Sequence, residues 1–314
     1  MRTTIKRACI ALLLMALPLE TGAEELSILT GGTSGVYYPV GVRLQEIFER
    51  EIPEHSFTVL STQATVENLN MLQRGSGILA LAQGDILSEA WAGNPEAGFP
   101  SSRTKIRLIG AAYPNFIHLL ARAETNIHAL GDLVGKRVSV GAARSGNELN
   151  ARALFGAAGL SYADLLQVEY LRYGESVELF VKGELDAILV SAGLGVAAVV
   201  EASQRIPVRF IPIERAFVEA NAKMFFATVI PAGSYPGQTD EVQTAALNNY
   251  FVTTSDASDE IVYRITKAIF DNVDELRAVH PAAEVIALDR ALGIRPIEVH
   301  PGALRYFREK GVTQ

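Results

Sequence analysis

Two glycine-containing turns hold the residue types best suited to binding a small anion. The first, residues 31–35 (GGTSG), follows a short apolar stretch and precedes Val40, Leu44 and Ile47 at helical spacing, which predicts strand, turn and helix. Glycine permits a tight turn, and the free N–H groups at the start of a helix attract a carboxylate or phosphate. The segment has neither the lysine of a Walker loop nor dinucleotide GxGxxG spacing. A purely structural turn explains this motif equally well on its own.

The second turn, residues 142–147 (AARSGN), repeats this arrangement after a predicted strand that ends at Val140. Ligands of open α/β sheets bind beyond the carboxyl ends of the strands, so the two turns could face each other across one cleft. Arg144 offers a cation to a carboxylate, although a solvated surface arginine is the alternative.

Polar residues that follow two other predicted strands are weaker candidates. The segment 62–68 (TQATVEN) holds short polar side chains that can cap a helix or bind a ligand oxygen. Gln83 follows an apolar strand, and its amide can both donate and accept a hydrogen bond. Asp85 is expected to cap the next helix. Capping alone accounts for these residues if no ligand binds there.

The sequence predicts no catalytic residue, metal site or cofactor. Its five histidines form no HExxH or other metal-binding spacing, and its one cysteine, Cys9, lies near the N-terminus. Neither Ser34 nor Ser145 lies in the GxSxG motif of a nucleophile elbow. An enzyme remains the second hypothesis, with Ser145 or Asp186 as the reactive group, but it needs an activating base that the sequence does not reveal.

Alternating strand and helix patterns indicate an α/β protein with two lobes. One series ends with strand-like segments at 106–112 and 116–121, separated by Tyr113-Pro114-Asn115, and a second series follows. Segment 244–254 then fits a long strand that returns the chain to the first lobe. Two crossings create a hinge for closure around a ligand, and two domains in simple succession are the alternative. The predicted boundaries are residues 24–114 and 244–314 for lobe 1 and residues 115–243 for lobe 2.

The N-terminus is typical of a secretory signal. Arg2, Lys6 and Arg7 precede an uncharged run at 8–19 and small residues, which predicts cleavage after Ala23 and a periplasmic mature protein. A buried helix or a retained membrane anchor is the alternative. The formal net charge of −7 is dispersed without a basic stripe, so nucleic acid is not an expected partner.

Three segments, in this order, make the chain resemble the TAXI family of extracytoplasmic solute-binding proteins. They are 30–41 (TGGTSGVYYPVG), 133–141 (LVGKRVSVG) with the following Ser145-Gly146, and 300–306 (HPGALRY). Shorter matches at 67–69, 83–85, 186–187, 192–193 and 235–237 spread the resemblance over nearly all of the predicted mature chain.

The resemblance implies a type II periplasmic-binding-protein fold, in which two α/β lobes joined by two connecting strands enclose a ligand cleft. It also implies capture of a small organic anion, either a glutamate-like amino acid or a dicarboxylate such as 2-oxoglutarate. The solute would pass to the membrane subunits of an ion-coupled TRAP permease, and we expect the binding protein to be a monomer. A ligand sensor that docks on a receptor is a further alternative.

Carried over residue by residue, the family pattern assigns ligand contacts to both lobes. At Ala64-Thr65 the family usually has Gly-Ser, so the added methyl narrows the pocket while threonine keeps the hydroxyl. Segment 300–302 is expected to pack the C-terminal part of the chain. The predicted ligand-binding residues are Thr33, Ser34, Gly35, Tyr37, Thr65, Asn68 and Gln83 from lobe 1, and Ser145, Gly146, Asn147, Ala192 and Gly193 from lobe 2.

Overall fold

The computed structural model describes residues 25–312, so the predicted signal peptide lies outside the described residues. A mixed β-sheet with helices packed against it confirms the predicted α/β class. The strands are β1 (Glu25–Leu29), β2 (Ser56–Leu60), β3 (Leu79–Gln83), β4 (Ile106–Arg122), β5 (Arg137–Ser139), β6 (Gln167–Glu169), β7 (Ala187–Ala192), β8 (Val208–Ile211), β9 (Phe226–Ile230) and β10 (Val242–Thr254). The helices are α1 (Tyr37–Glu51), α2 (Thr65–Gln73), α3 (Gly84–Ala92), α4 (Gly146–Ala157), α5 (Tyr173–Lys182), α6 (Ala197–Arg205), α7 (Arg215–Ala220), α8 (Asp259–Asp271), α9 (Val273–Arg277) and α10 (Pro301–Glu309).

The strand order β2-β1-β3-β10-β4-β7-β5-β6 separates two parallel groups. In lobe 1, β1 pairs in parallel with β2 and β3. In lobe 2, β5 pairs in parallel with β6 and β7. A helix follows most of these strands, so the helix N-termini collect at the carboxyl edges of the two groups.

The long strands β4 and β10 connect the two lobes. They pair antiparallel from Ala246 opposite Phe116 to Thr254 opposite Ile106. On their outer sides, β10 pairs with β3 of lobe 1, and β4 pairs with β7 of lobe 2. The predicted long strand at 244–254 is confirmed, and the chain crosses between the lobes through two adjacent strands.

The predicted break at Tyr113-Pro114-Asn115 is wrong, because β4 runs without interruption through these residues. Pro114 lies opposite Asn248, and the pairing register shifts just beyond this point. A register shift of this kind lets a strand accommodate a proline, which has no N–H to give to the ladder. The proline therefore lies within a continuous strand and does not form a turn.

Each lobe has a buried apolar cluster of its own. Phe155 and Leu189 belong to a cluster within lobe 2, whereas Phe99 and Leu69 belong to one within lobe 1. A third and larger cluster includes residues of both lobes and of the C-terminal helices. The exact residues at which one lobe gives way to the other remain a prediction.

The C-terminal HPG segment packs against lobe 1. His300 is 2% exposed, and its Nδ1 atom accepts a hydrogen bond of 3.1 Å from the Gly302 N–H at the start of α10. A Cβ atom on Gly302 would overlap the Asp259 carbonyl at the start of α8.

None of the helices within residues 25–312 has the length and apolar character needed to cross a membrane.

Candidate functional site

A cavity of about 230 Å³ lies between the two lobes, beyond the carboxyl ends of the strands. This is smaller than the roughly 300–1,000 Å³ of pockets for drug-sized ligands, so its size suits a compact solute. Its wall comprises residues 31–37 and 62–65, Gln83, Tyr113, Asn115, Ala142, residues 145–147 and 172–175, Ser191 and Ala192.

Five helices begin at the cavity wall. Tyr37 and Thr65 are the first residues of α1 and α2, Gln83 and Ser145 immediately precede α3 and α4, and Tyr173 opens α5. The N-terminus of each helix carries partial positive charge and unpaired N–H groups, so their convergence favours a negatively charged ligand.

Formal charge is nearly absent from this wall. Arg172 and Glu175 are the charged residues among the described lining residues, and both are exposed. The Glu175 carboxylate accepts a hydrogen bond of 3.1 Å from the Arg172 N–H. The buried part of the wall therefore offers an anion neutral donors, namely N–H groups and hydroxyls.

The first glycine-rich turn reaches across the cavity toward lobe 2. The Gly35 N–H donates to the Gly32 carbonyl at 3.0 Å, which closes the turn. A Cβ atom on Gly35 would lie 3.7 Å from the ring of Tyr173, and one on Gly174 would lie 3.1 Å from Ser34 Oγ. The turn and the start of α5 therefore approach closely enough to enclose a small ligand.

Three tyrosines form part of the wall, of which Tyr37 and Tyr113 are buried and Tyr173 is half-buried. The Tyr37 hydroxyl donates to Asn249 Oδ1 at 2.5 Å, and the Tyr173 hydroxyl donates to the Ser191 carbonyl at 2.8 Å. The Tyr113 hydroxyl is buried and has no hydrogen-bond partner among the described residues. Burial raises the pKa of all three hydroxyls, so they remain protonated.

The second turn forms the lobe 2 side of the site. Ser145 Oγ accepts a hydrogen bond of 3.2 Å from the Glu148 N–H and so caps α4. Asn147 donates to the carbonyls of Val140 and Leu189 at 2.7 and 3.0 Å. Asn147 therefore holds the start of α4 against β5 and β7 while it also borders the cavity.

A chain of hydrogen bonds crosses between the lobes beside the cavity. Gln83 Nε2 donates to Ser191 Oγ at 3.3 Å, and Ser191 Oγ donates to Asn150 Oδ1 at 2.8 Å. Asn150 Nδ2 then donates to Asp85 Oδ2 at 2.8 Å. We call these four side chains the seam, because they join β3 and α3 of lobe 1 to α4 and β7 of lobe 2.

The structure brings most of the predicted ligand-binding residues to one cavity. Whether these residues contact a solute remains a prediction, which the experiments below address. The cavity-lining members of the set are Thr33, Ser34, Gly35, Tyr37, Thr65, Gln83, Ser145, Gly146, Asn147 and Ala192.

Two predicted residues, Asn68 and Gly193, lie outside the cavity wall and make structural contacts, and their role in ligand binding stays a prediction. Asn68 Nδ2 donates to the carbonyls of Thr30 and Leu81 at 2.8 and 2.9 Å, so it ties α2 to β1 and β3. A Cβ atom on Gly193 would overlap Ala282, so this glycine permits close packing. Arg144 is also exposed and outside the wall.

Several lining residues have no counterpart in the sequence prediction. Tyr113 and Asn115 were not predicted as lining residues, because the proline between them indicated a turn. Tyr173 follows β6 and opens α5, much as the two recognised turns lie between a strand and a helix, so that pattern could have identified it. Ser191 lies within an apolar strand, where no local signal distinguishes a lining residue from a core residue.

Ala64 has a backbone conformation that favours glycine. It immediately precedes α2 with φ of 65° and ψ of −144°, a region in which a side chain costs about 1–3 kcal/mol. The Ala64 N–H donates to Thr62 Oγ1 at 3.0 Å, and its carbonyl accepts from the Asn68 N–H at 3.0 Å. These bonds hold the strained conformation at the cavity wall.

The Ala64→Gly substitution is therefore expected to stabilise the protein. Glycine removes the backbone strain in the folded state, and this gain is larger than the free energy lost to the greater conformational entropy of the unfolded chain. The free energy of unfolding should therefore rise by about 1 kcal/mol in urea denaturation. Ala142→Gly is the matched control, since Ala142 borders the same cavity without a positive φ. Equal losses of stability in both variants would show that Ala64 is not strained.

The candidate nucleophiles of the enzyme hypothesis have structural partners. Ser145 caps α4, as described above. Asp186 accepts two hydrogen bonds from the Arg137 guanidinium, at 2.6 and 3.1 Å. Burial acts to raise the pKa of Asp186, but these bonds outweigh it and leave that pKa below its ordinary value. Residues 25–312 also contain no cluster of side chains suited to a metal ion.

Comparisons with known proteins agree with this architecture. The sequence model of the NMT1-like family matches residues 28–311. An ancestral arginine-binding protein bound to arginine is similar in structure, with a TM-score of 0.50 and 14% identity over 82% of this chain and 98% of that one. A protein from Listeria monocytogenes assigned as an L-cystine ABC transporter has a TM-score of 0.51 and 16% identity over 82% and 94%. The fold is thus the type II periplasmic-binding-protein fold that the family resemblance implied.

Proposed function

We propose that this chain, which belongs to the NMT1-like family, is an extracytoplasmic solute-binding protein that closes its two lobes on a small organic anion. The observation that carries this proposal is the cavity between the lobes, where five helix N-termini converge on a wall without a buried charged side chain. Partial charges and N–H groups at these positions would bind an anion without the cost of burying a permanent cation.

The class of solute comes from the TAXI resemblance, and the cavity is compatible with it in size and chemistry. A volume of about 230 Å³ and a wall of hydroxyls, N–H groups and tyrosine rings suit a glutamate-like amino acid or a dicarboxylate such as 2-oxoglutarate. The arginine-binding protein of similar fold is a precedent for a small solute bound by this architecture.

The transport partner and the cellular location belong to this proposal as well. The TAXI resemblance favours delivery to a TRAP-type permease, and the N-terminal pattern favours export with cleavage after Ala23. Two measurements test these points: the N-terminal residue of the protein isolated from the periplasm, and solute uptake by proteoliposomes that contain the permease subunits. Cleavage before Glu24 and uptake that requires the binding protein are the expected results.

The central experiment is a thermal-shift screen of the mature protein after unfolding and refolding to remove co-purified solute. Amino acids and small organic acids are screened, and the compound that binds is recovered and identified. A solute at about 100 times its dissociation constant adds roughly 2.7 kcal/mol of stability. Recovery of the compound unchanged supports binding, whereas its conversion to product would favour the enzyme hypothesis.

Ser34→Ala is expected to weaken binding of the solute found in this screen. Ser34 lines the cavity in the first turn, and one hydrogen bond to a charged group is worth about 1.5–3 kcal/mol, or roughly tenfold to a hundredfold in affinity. Ser76→Ala, at an exposed position outside the wall, is the calorimetric control. Equal affinities for both variants would remove Ser34 from the site.

A further inference from the structure

Asp85 lies on the seam between the lobes, apart from the solute cavity. Its side chain is in the first turn of α3, where the residue is 7% exposed, and it faces Asn150 on α4, which is fully buried. The Asn150 amide donates to Asp85 Oδ2 at 2.8 Å. Leu149, the neighbour of Asn150, packs against the apolar cluster of lobe 1, so α4 rests on lobe 1 at this point.

The surroundings of Asp85 provide little compensation for a negative charge. Its Oδ1 atom is buried without a hydrogen-bond partner among the described residues. The nearest charge on its own helix is the carboxylate of Glu89, which repels it, and the Tyr37 hydroxyl on α1 is neutral. The residue of β10 that packs beside Gly84 is Tyr250, whose side chain is uncharged and does not compensate the carboxylate.

The charged side chains of α4 also fail to neutralise Asp85. Glu148 on that helix forms its ion pair with Arg152, at 2.7 Å. The N–H groups at the start of α3 favour the ionised carboxyl, but burial outweighs them and raises the pKa of Asp85 to about 7. The carboxyl is therefore protonated in much of the closed population near neutral pH.

The seam links this carboxyl to the solute cavity. Gln83 and Ser191 line the cavity, and Ser191 bonds directly to Asn150, the partner of Asp85. Separation of the lobes would break the contact between residues 85 and 150 and admit water to the carboxyl. In water an aspartate has an ordinary pKa near 3.8, so the open form would release the proton.

We propose that closure of the lobes on solute takes up a proton at Asp85, which makes the proton a second ligand of the closed form. This inference rests on the proposed solute-binding function. Because the closed form binds the additional proton, solute affinity falls as the pH rises toward neutrality and levels off above it. A solute captured in an acidic medium would be held more tightly than one in an alkaline medium.

Calorimetric titration with L-glutamate and with 2-oxoglutarate, neither of which titrates between pH 6 and 8, tests this linkage. Affinity should fall about tenfold from pH 6 to pH 8, and binding at pH 7 should take up about half a proton, measured in buffers of different ionisation enthalpy. Asp85→Asn keeps the bond to Asn150 and should abolish both effects. Asp186→Asn, which alters a carboxylate paired with Arg137, should leave them unchanged.

Small-angle X-ray scattering of the solute-free protein provides a readout that does not depend on the choice of solute. The radius of gyration of the wild type should increase between pH 6 and pH 8 as the closed population decreases, and that of Asp85→Asn should not. If neither acid binds at any pH, the proposed solute class fails, and scattering alone decides the role of Asp85. Wild-type binding or scattering with the same pH profile as Asp85→Asn would overturn the proposal.

Discussion

Replacing Gly146 by alanine is expected to reduce solute affinity by about tenfold to a hundredfold while the protein stays folded. A Cβ atom at this position would overlap Gln83 Oε1 and lie 2.6 Å from Gln83 Cδ, on the opposite side of the seam. Gln83 would have to leave its bond to Ser191, and overpacking of this kind costs about 1–3 kcal/mol. The cost falls on the closed form, because separated lobes no longer bring these residues together.

The same substitution should leave the stability of the solute-free protein equal or higher. Separated lobes relieve the overlap, and at Gly146, the first residue of α4, alanine gains only part of the roughly 0.5–1 kcal/mol by which it is favoured over glycine inside a helix. Loss of affinity with unchanged or increased stability would identify Gly146 as a residue that permits closure. Calorimetry measures the affinity, and urea denaturation measures the free energy of unfolding.

Gly156→Ala provides the matched control for this experiment. Gly156 lies near the other end of α4, where an added Cβ atom would meet no atom within 4 Å. This variant should gain stability without any change in affinity. If Gly146→Ala binds solute as tightly as Gly156→Ala does, closure does not bring Gly146 against Gln83 as the structure has it.

Local signals predicted the two turns correctly because their function and their conformation depend on the same short segment. A strand, a glycine-rich turn and a helix start are specified within about a dozen residues, so segments 31–35 and 142–147 were placed at strand ends as observed. The long strand β10 was predictable for the same reason, since two short apolar runs, 245–247 and 250–252, lie close together within it.

Local sequence signals could not predict the roles of residues whose contacts are distant along the chain. Asn68 belongs to a polar segment beside the cavity, but its amide is bound by the Leu81 carbonyl on a neighbouring strand. Asp85 satisfies the pattern of a helix cap, yet its carboxyl faces Asn150 across the seam. In both residues the deciding contact comes from the arrangement of strands and lobes, which the spacing along the chain does not specify.

Acidification is expected to destabilise the protein through His118, and His118→Gln should remove much of that effect. The imidazole is fully buried on β4, and burial lowers its pKa to about 4. The Tyr235 hydroxyl accepts from the Gly195 N–H at 2.9 Å and therefore donates its own proton to His118 Nε2 at 2.8 Å. Nδ1 then donates to the Val190 carbonyl at 3.1 Å, so the neutral ring is fully paired and an added proton would break the bond to Tyr235.

The sign of the effect follows from proton binding by the two states. Between pH 6.5 and about pH 4, His118 binds a proton in the unfolded chain but not in the folded protein. The free energy of unfolding therefore falls as the pH falls through this window. The full displacement of the pKa is worth about 3 kcal/mol.

Urea denaturation at several pH values between 7 and 4.5 should show a steep loss in the free energy of unfolding for the wild type. The loss should be shallower for His118→Gln, which keeps a side chain able to donate and accept a hydrogen bond. His128→Gln, at an exposed position, should follow the wild type, and a His118→Gln profile parallel to the wild type would assign the acid sensitivity to other groups.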